Sequence, residues 1–552
     1  MRKTTTYLLL LALLAGCSSY RHAEFTKKDV RRAQKVIGLS FSKEAVNTMY
    51  RYLGRNNDGY DSLRAFSSDY RTEPALYFDP RPAGFEMPAS VESAMWAVPD
   101  DIRRPDSDED LAFMSVAELA SLLRSKQITS VELTQLYLDR IEQYDDQLMS
   151  VITLTRDRAL ERARRADLEL ARGQDRGPLH GIPYGVKDLA AVAGYPTTWG
   201  AEPYRDQVLD YTATVVERLD EAGAILIAKL VSGSLARGDV WFGGKTRNPW
   251  DTEQGASGSS AGSASATAAG LVGFSIGTET LGSITSPSTR CGVTGLRPTY
   301  GRVPRTGFMT LSWTMDKVGP ICRTAFDCGL VLAAIHGPDG ADRTVVEAPF
   351  TPRTDRSPGD LKVAFLAEAF EQDSSDTGSN DDAALQALRD LGINPEAVEL
   401  PDDFPWQTFD IILRSEAGAF FDELVRSGEI DDMVEQDYGS RANSLRQSRF
   451  IPAVEYLQAN RQRQRLIEAM HQLMEGYDLL ISPSRGSRQL YITNLTGHPA
   501  LSLPTGLDDD GHPTSLTLVG PLYGEATLLE VARAFQEKTN YDEVHPPLST
   551  DK

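Results

Sequence analysis

The stretch Gly255–Pro298, GASGSSAGSASATAAGLVGFSIGTETLGSITSPSTRCGVTGLRP, decides how this chain is read. It holds two small-residue loops, SGSSAGS and TETLGS, joined by an alanine-rich apolar segment. Ser259 stands in the first loop and Ser283 in the second. A flexible Gly/Ser linker would not alternate with apolar runs such as Gly270–Ile276. Small residues let backbone donors approach a ligand without side chains in the way. Upstream, Lys187 follows the apolar, glycine-punctuated run Gly181-Ile182-Pro183-Tyr184-Gly185-Val186, which reads as a buried strand. A lysine can act as a base only when neutral, and burial away from counter-charges favours that form. Asp188 comes next, but neighbours in a strand point to opposite faces, so the two need not pair.

Competing readings of the same residues are weaker. Gly258-Ser259-Ser260-Ala261-Gly262 fits the G-x-S-x-G nucleophile elbow with Ser260 at its centre. That motif needs a hydrophobic strand before it, whereas Asn248 to Gly255 read as polar and loop-like. The seven histidines are scattered. His180 and His498 have no second ligand at metal spacing, so structural or pocket-lining roles fit them better than catalysis. There is no P-loop, dinucleotide fingerprint or zinc signature.

Taken in order, these features resemble the amidase signature family. Further matches are ATVVERLDEAGAILIAK (213–229), the turn Thr246-Arg247-Asn248-Pro249-Trp250, and the C-terminal TGHPALSLPTG and SLTLVGPLYGEATLLEVARAFQ. The resemblance covers Asp110 to Tyr541. It implies an α/β fold with a mixed, twisted central sheet wrapped by helices, and hydrolysis of a carboxylic amide through an acyl-serine. By that resemblance Ser283 is the nucleophile, Ser259 the bridging serine on a cis peptide, and Lys187 the base. The backbone amides of Thr280, Leu281, Gly282 and Ser283 would form the oxyanion hole. Such a Ser–Ser–Lys arrangement is a variant of triad logic and calls for no cofactor and no metal. The chain departs from the family pattern at three places. Leu281-Gly282 replaces two glycines, Thr285 replaces an arginine that usually braces the loop, and Glu279 stands where aspartate is common. A bulky Leu281 is unfavourable if its position needs positive φ.

The front of the chain reads as an export signal. Arg2 and Lys3 precede an apolar core from Tyr7 to Leu14, too short for a permanent membrane span. Leu14-Ala15-Gly16-Cys17 resembles a bacterial lipobox, which implies cleavage before Cys17 and lipid attachment to it. Ser18 resembles the pattern sorted to the outer membrane, facing the periplasm. The expected organisation is a signal over 1–16, a helical extension over 17–78, a Pro-rich acidic linker over 79–109 and a catalytic domain over 110–545. Thr26–Leu53 shows helical periodicity, and the boxes Ser115/Glu118 and Thr129/Glu132 open two further helices. The polar run Gln372–Asn380 reads as a surface loop. Met470, Leu473 and Tyr477 are as consistent with core as with pocket lining. Cys322 and Cys328 could form a disulfide in an oxidising compartment or remain two separate buried thiols, and Cys291 fits a buried position.

A net charge of −21 argues against nucleic-acid binding, which needs clustered Lys and Arg on phosphates. The expected partners are a small-molecule amide and, through the lipid on Cys17, a membrane. Two alternatives stay open. One is an ammonia-releasing activity like that of the A chain of an amidotransferase. The other is a non-catalytic envelope protein that keeps the fold for binding.

Overall fold

Short apolar runs bounded by glycine and proline become the strands of one large mixed sheet. The structure, a computed structural model, describes residues 25–65, 69–89, 97–352, 356–372 and 378–548. The signal segment, Cys17 and most of the polar run Gln372–Asn380 lie outside these. The first strands are β1 (Val151–Leu154), β2 (Pro183–Lys187) and β3 (Ile225–Leu230). Two small hairpins follow, β4 (Val240–Trp241) with β5 (Gly244–Lys245), and β6 (Arg247–Asn248) with β7 (Asp251–Gly255). Then come β8 (Phe274–Glu279), β9 (Thr294–Arg297), β10 (Lys317–Cys322), β11 (Val363–Phe365) and β12 (Glu396–Ala397). The last are β13 (Leu479–Pro483), β14 (Ala500–Leu507) and β15 (Pro513–Val519).

Eleven strands lie in the order β1-β3-β2-β8-β10-β9-β14-β15-β13-β11-β12. β2 runs parallel to both β3 and β8, β11 runs parallel to β12 and β13, and the remaining pairs are antiparallel. β2, β3, β8 and β10 are buried along their whole length, and in β3, ILIAKL, this shows as a nearly continuous apolar run. Helices supply the cover. Helix Ser130–Leu148 opens on the Thr129/Glu132 capping box and buries Leu133, Tyr137, Leu138 and Ile141. Helices Ala325–Ile335 and Glu525–Thr539 add Leu330, Val331, Leu528 and Phe535 to the same core. Each such side chain contributes about 1.5–3 kcal/mol by leaving water. The result is the expected α/β architecture.

The chain divides into two compact units. The smaller comprises the residues up to Thr72 with Phe450–Ala453. In it, helices Lys27–Val36 and Lys43–Arg64 pack together, with Val46 buried and Phe25 edge-on to Tyr50. The larger, Glu73–Arg449 with Val454 onwards, holds the sheet. Within it, residues 73–89 and 97–107 form neither helix nor strand.

Asn248 to Gly255 contributes to a short hairpin rather than a loop; its polar side chains hide the strand pattern because most of them stay partly exposed. Cys291, Cys322 and Cys328 are all buried free thiols, so the pair is not a disulfide. Met470 is fully buried and belongs with Leu466, Leu480 and Ile492 to the core, with Leu473 and Tyr477 packed against it.

Candidate active site

β2 delivers Lys187 into the interior at its C-terminal end. The side chain is fully buried and forms no ion pair with a described residue. Its Nζ lies 2.7 Å from Ser259 Oγ, 3.0 Å from Ser260 Oγ and 2.9 Å from Thr278 Oγ1. Burial pushes the ammonium's pKa well below its ordinary value, and the more distant carboxylates of Asp316 and Glu279 only partly oppose this. Asp188, the next residue, points away as strand alternation requires. It pairs with Lys229 of β3 at 2.6 Å and accepts from Thr198 N and Oγ1 at 2.8 and 2.6 Å. The carboxylate nearest in sequence is thereby engaged elsewhere.

Ser259 follows a cis Gly258–Ser259 peptide bond at the start of helix Ala261–Ala268. The loop Gly233–Gly238 packs against it: Gly233 N donates to Ser259 O at 3.2 Å, and a Cβ on Gly258 would meet Gly238 O at 1.9 Å. Arg441 holds that loop in turn. Its guanidinium donates to the carbonyls of Leu235 and Ala236, both at 3.0 Å, where the backbone has positive φ. Burial lowers the Arg441 pKa to about 9.

β8 ends at Glu279 and runs into the second loop. Ser260 N donates to Ser283 O at 3.1 Å, which stitches the two serine loops together. Ser283 itself is only 9% exposed. The N–H groups of Thr280, Leu281, Gly282 and Ser283 have no hydrogen-bond acceptor among the described residues. The loop that carries Ser283 thus keeps four backbone N–H groups without a protein acceptor among the described residues. Positive φ falls at Gly282 (+88°), not at Leu281, so the leucine sits in ordinary backbone and is accommodated half-exposed.

The loop is braced from both sides. Thr280 Oγ1 donates to Asp316 at 2.6 Å. Glu279 is fully buried and accepts from Ile284 N and Thr285 N, both at 2.9 Å, and from Thr285 Oγ1 at 3.1 Å. Its other oxygen accepts from Arg297 and from Asn494, both at 2.8 Å. Burial alone would raise the Glu279 pKa, but Arg297 and Lys317 outweigh it and hold it at about 2. Arg297, from β9, is the cation paired with this buried carboxylate.

Sequence reasoning did not anticipate Ser260 and Thr278 as hydroxyl partners of Lys187, nor the Glu279–Arg297–Asn494 cluster. Ser260 was visible only as the centre of a misleading motif. In the structure its Oγ donates to Thr278 O at 3.1 Å and accepts from Thr278 N at 3.2 Å. His180 and His498 stand apart from Lys187. His180 lies 3.2 Å from Glu169, and His498, its pKa pushed to about 3 by burial, bonds Thr496 Oγ1 at 2.8 Å.

Residues 132–490 match the Amidase family. The chain belongs to that family. Its relatives include the A chain of glutamyl-tRNA(Gln) amidotransferase from Moorella thermoacetica, 34% identical, with 80% of this chain and 99% of that protein aligned. Among solved structures it is similar to a peptide amidase from Stenotrophomonas maltophilia, at 28% identity and a TM-score of 0.69, covering 80% of this chain and 99% of that one. An amidase family protein from Bacillus anthracis str. Ames aligns with a TM-score of 0.72 and 26% identity, over 80% of this chain and 94% of that one.

Proposed function

We propose that this protein hydrolyses a small carboxylic amide through an acyl-Ser283 intermediate, with Ser259 and Lys187 moving the proton. The observation that carries this reading is Lys187: fully buried, unpaired with any described carboxylate, and 2.7 Å from Ser259 Oγ. A lysine kept from counter-charges and placed on hydroxyls is a base, because its neutral amine has a free lone pair to accept their protons.

In this reading the proton passes from Ser283 through Ser259 to Lys187, of which the Ser259–Lys187 leg is 2.7 Å. Neutral Lys187 Nζ accepts the Ser259 proton as Ser259 Oγ accepts that of Ser283. Ser283 Oγ then attacks the amide carbon, and the carbonyl oxygen becomes an oxyanion facing the free N–H groups of Thr280–Ser283. Collapse breaks the C–N bond. The leaving nitrogen takes a proton back through Ser259, and water, activated along the same path, hydrolyses the ester. The loop Leu235–Ala236 and the segment around Phe421 and Met433 share an apolar cluster with Trp199 and Met309, which supports a largely apolar wall near the first serine loop.

A second reading is an ammonia-releasing activity, favoured by the identity to the amidotransferase A chains. It uses the same acyl-serine chemistry and differs in substrate. The deciding experiment treats the chain from Ser18 onward with a fluorophosphonate probe, maps the adduct by mass spectrometry, and then assays ammonia release from a panel of carboxamides that includes glutamine. The reading expects an adduct on Ser283 that is absent from Lys187→Met, and turnover reduced at least about a thousand-fold in Ser283→Ala. Wild-type turnover in folded Ser283→Ala would overturn it. Release from glutamine alone would favour the second reading.

A further inference from the structure

We propose that the helix Lys27–Val36 and the turn after it form a docking face for an anionic phospholipid surface. The helix reads KKDVRRAQKV. Lys27, Lys28, Arg31, Arg32 and Lys35 are all exposed and fall on one side of it. Val30 and Gln34, both half-buried, lie beside this face, where the helix meets Lys43–Arg64. None of the five basic residues forms an ion pair with a described residue. The one acidic residue of the helix, Asp29, is occupied by the N-cap: its carboxylate accepts from Thr26 N at 2.8 Å and Thr26 Oγ1 at 2.6 Å. This concentration of positive charge stands in a chain whose net charge is −21.

Exposed apolar side chains lie at the end of the basic helix and in the turn after it. Val36 (66% exposed), Ile37, Leu39 and Phe41 (41% exposed) follow in close succession, all open to solvent. Their position is fixed by Gln34: Leu39 N donates to its carbonyl at 2.9 Å and Phe41 N to its side-chain oxygen at 3.1 Å. Basic residues beside exposed apolar ones, on a helix anchored to a second helix, match what an interfacial membrane contact requires. The cations meet lipid phosphates and the apolar residues enter the acyl boundary.

Charge complementarity selects the occupant. A second copy of this chain, being strongly acidic overall, could also meet a basic face, but it would not account for the apolar residues next to it. The sequence adds a geometric argument. Ten positions separate Lys27 from Cys17, a tether that reaches at most about 35 Å, so a lipid on Cys17 would keep this helix within that distance of a bilayer.

The test uses the chain from Ser18 onward, which carries neither leader nor lipid site, in co-sedimentation with vesicles. Vesicles of phosphatidylglycerol and phosphatidylethanolamine are compared with phosphatidylcholine alone. The protein is expected on the anionic vesicles only, with binding that falls as salt rises. The triple variant Lys28→Gln/Arg31→Gln/Arg32→Gln keeps helix-forming side chains and should bind roughly a hundred-fold more weakly. Leu39→Ser/Phe41→Ser should weaken binding further at high salt, where the apolar contribution remains. Amide turnover should not change in either variant. Equal binding to neutral vesicles, an unaffected triple variant, or salt-sensitive self-association without vesicle binding would each overturn the proposal.

Discussion

Replacing Glu279 by glutamine tests whether the second serine loop is held by a buried charge. The substitution keeps the volume but removes the negative charge opposite Arg297, and both groups are fully buried. One oxygen of Glu279 accepts from Ile284, Thr285 and the Thr285 hydroxyl, and the other from Arg297 and Asn494. A glutamine must turn its NH2 toward one of these sets, so donors face a donor whichever way it lies. Leaving one member of a buried pair uncompensated costs about 3–5 kcal/mol. Proton linkage gives a second figure. Lowering the carboxyl from its ordinary 4.5 to about 2, at about 1.4 kcal/mol per pH unit, corresponds to about 3 kcal/mol. The sign is that of a depressed acid: the stabilisation is complete above pH 4.5 and lost as pH falls toward 2. Urea unfolding of wild type and Glu279→Gln across this range should show a gap of about 3 kcal/mol at neutral pH that closes with acid. Glu537→Gln, which breaks the exposed pair with Arg533, is the control and should cost under about 1 kcal/mol. Probe labelling of Ser283 should fall with the loss of the brace. A gap below about 1 kcal/mol at neutral pH, or one that does not change with pH, would refute the reasoning.

Three further outcomes follow from the same geometry. Because burial depresses the Lys187 pKa, kcat/KM should rise with pH along a limb lying well below pH 10.5, as the amine loses its proton; a limb centred on 10.5 would contradict the buried base. Gly282→Ala must adopt φ near +88° and brings its Cβ to 2.9 Å from Ser286 Oγ and 3.1 Å from Leu490. It should cost about 1–2 kcal/mol and sharply reduce Ser283 labelling, whereas Leu281→Ala should retain labelling; equal behaviour of the two would be inconsistent with the loop described. Cys291, Cys322 and Cys328 should resist a thiol reagent in the folded chain from Ser18 and all three should react after denaturation; fewer than three reactive thiols would indicate a disulfide.

The fold was legible where burial makes sequence simple. Pro183–Lys187 and Phe274–Glu279 are strands buried on both faces, and the apolar runs Gly181–Val186 and Gly270–Ile276 that lead into them betray them. The boxes at Ser115/Glu118 and Thr129/Glu132 are local and could be read directly. Asp251–Gly255 could not, since a half-exposed hairpin strand of polar residues lacks any apolar alternation. In the candidate site, Lys187 and the two serine loops stood out because isolated lysine and small-residue loops are unusual beside apolar strands. The supports did not stand out. Glu279 reaches Asn494 across 215 positions, and no local pattern announces such a contact. Nor does composition tell which of Leu281 and Gly282 takes the positive φ; the backbone decides it, and here the glycine does.

Lys187 and Asp188 are adjacent, oppositely charged and both buried, yet one meets only hydroxyls and a carbonyl while the other meets a lysine. What separates them is parity: odd and even places along an extended chain face opposite sides. The same two residues offset by one would set a carboxylate against Ser259 and a lysine against Lys229, two like charges where a pair had been. The reactive character of this centre is thus written in a count as much as in residue identity. Insertions and deletions within Pro183–Lys187 are therefore a harsher class of change for this chain than most single replacements there.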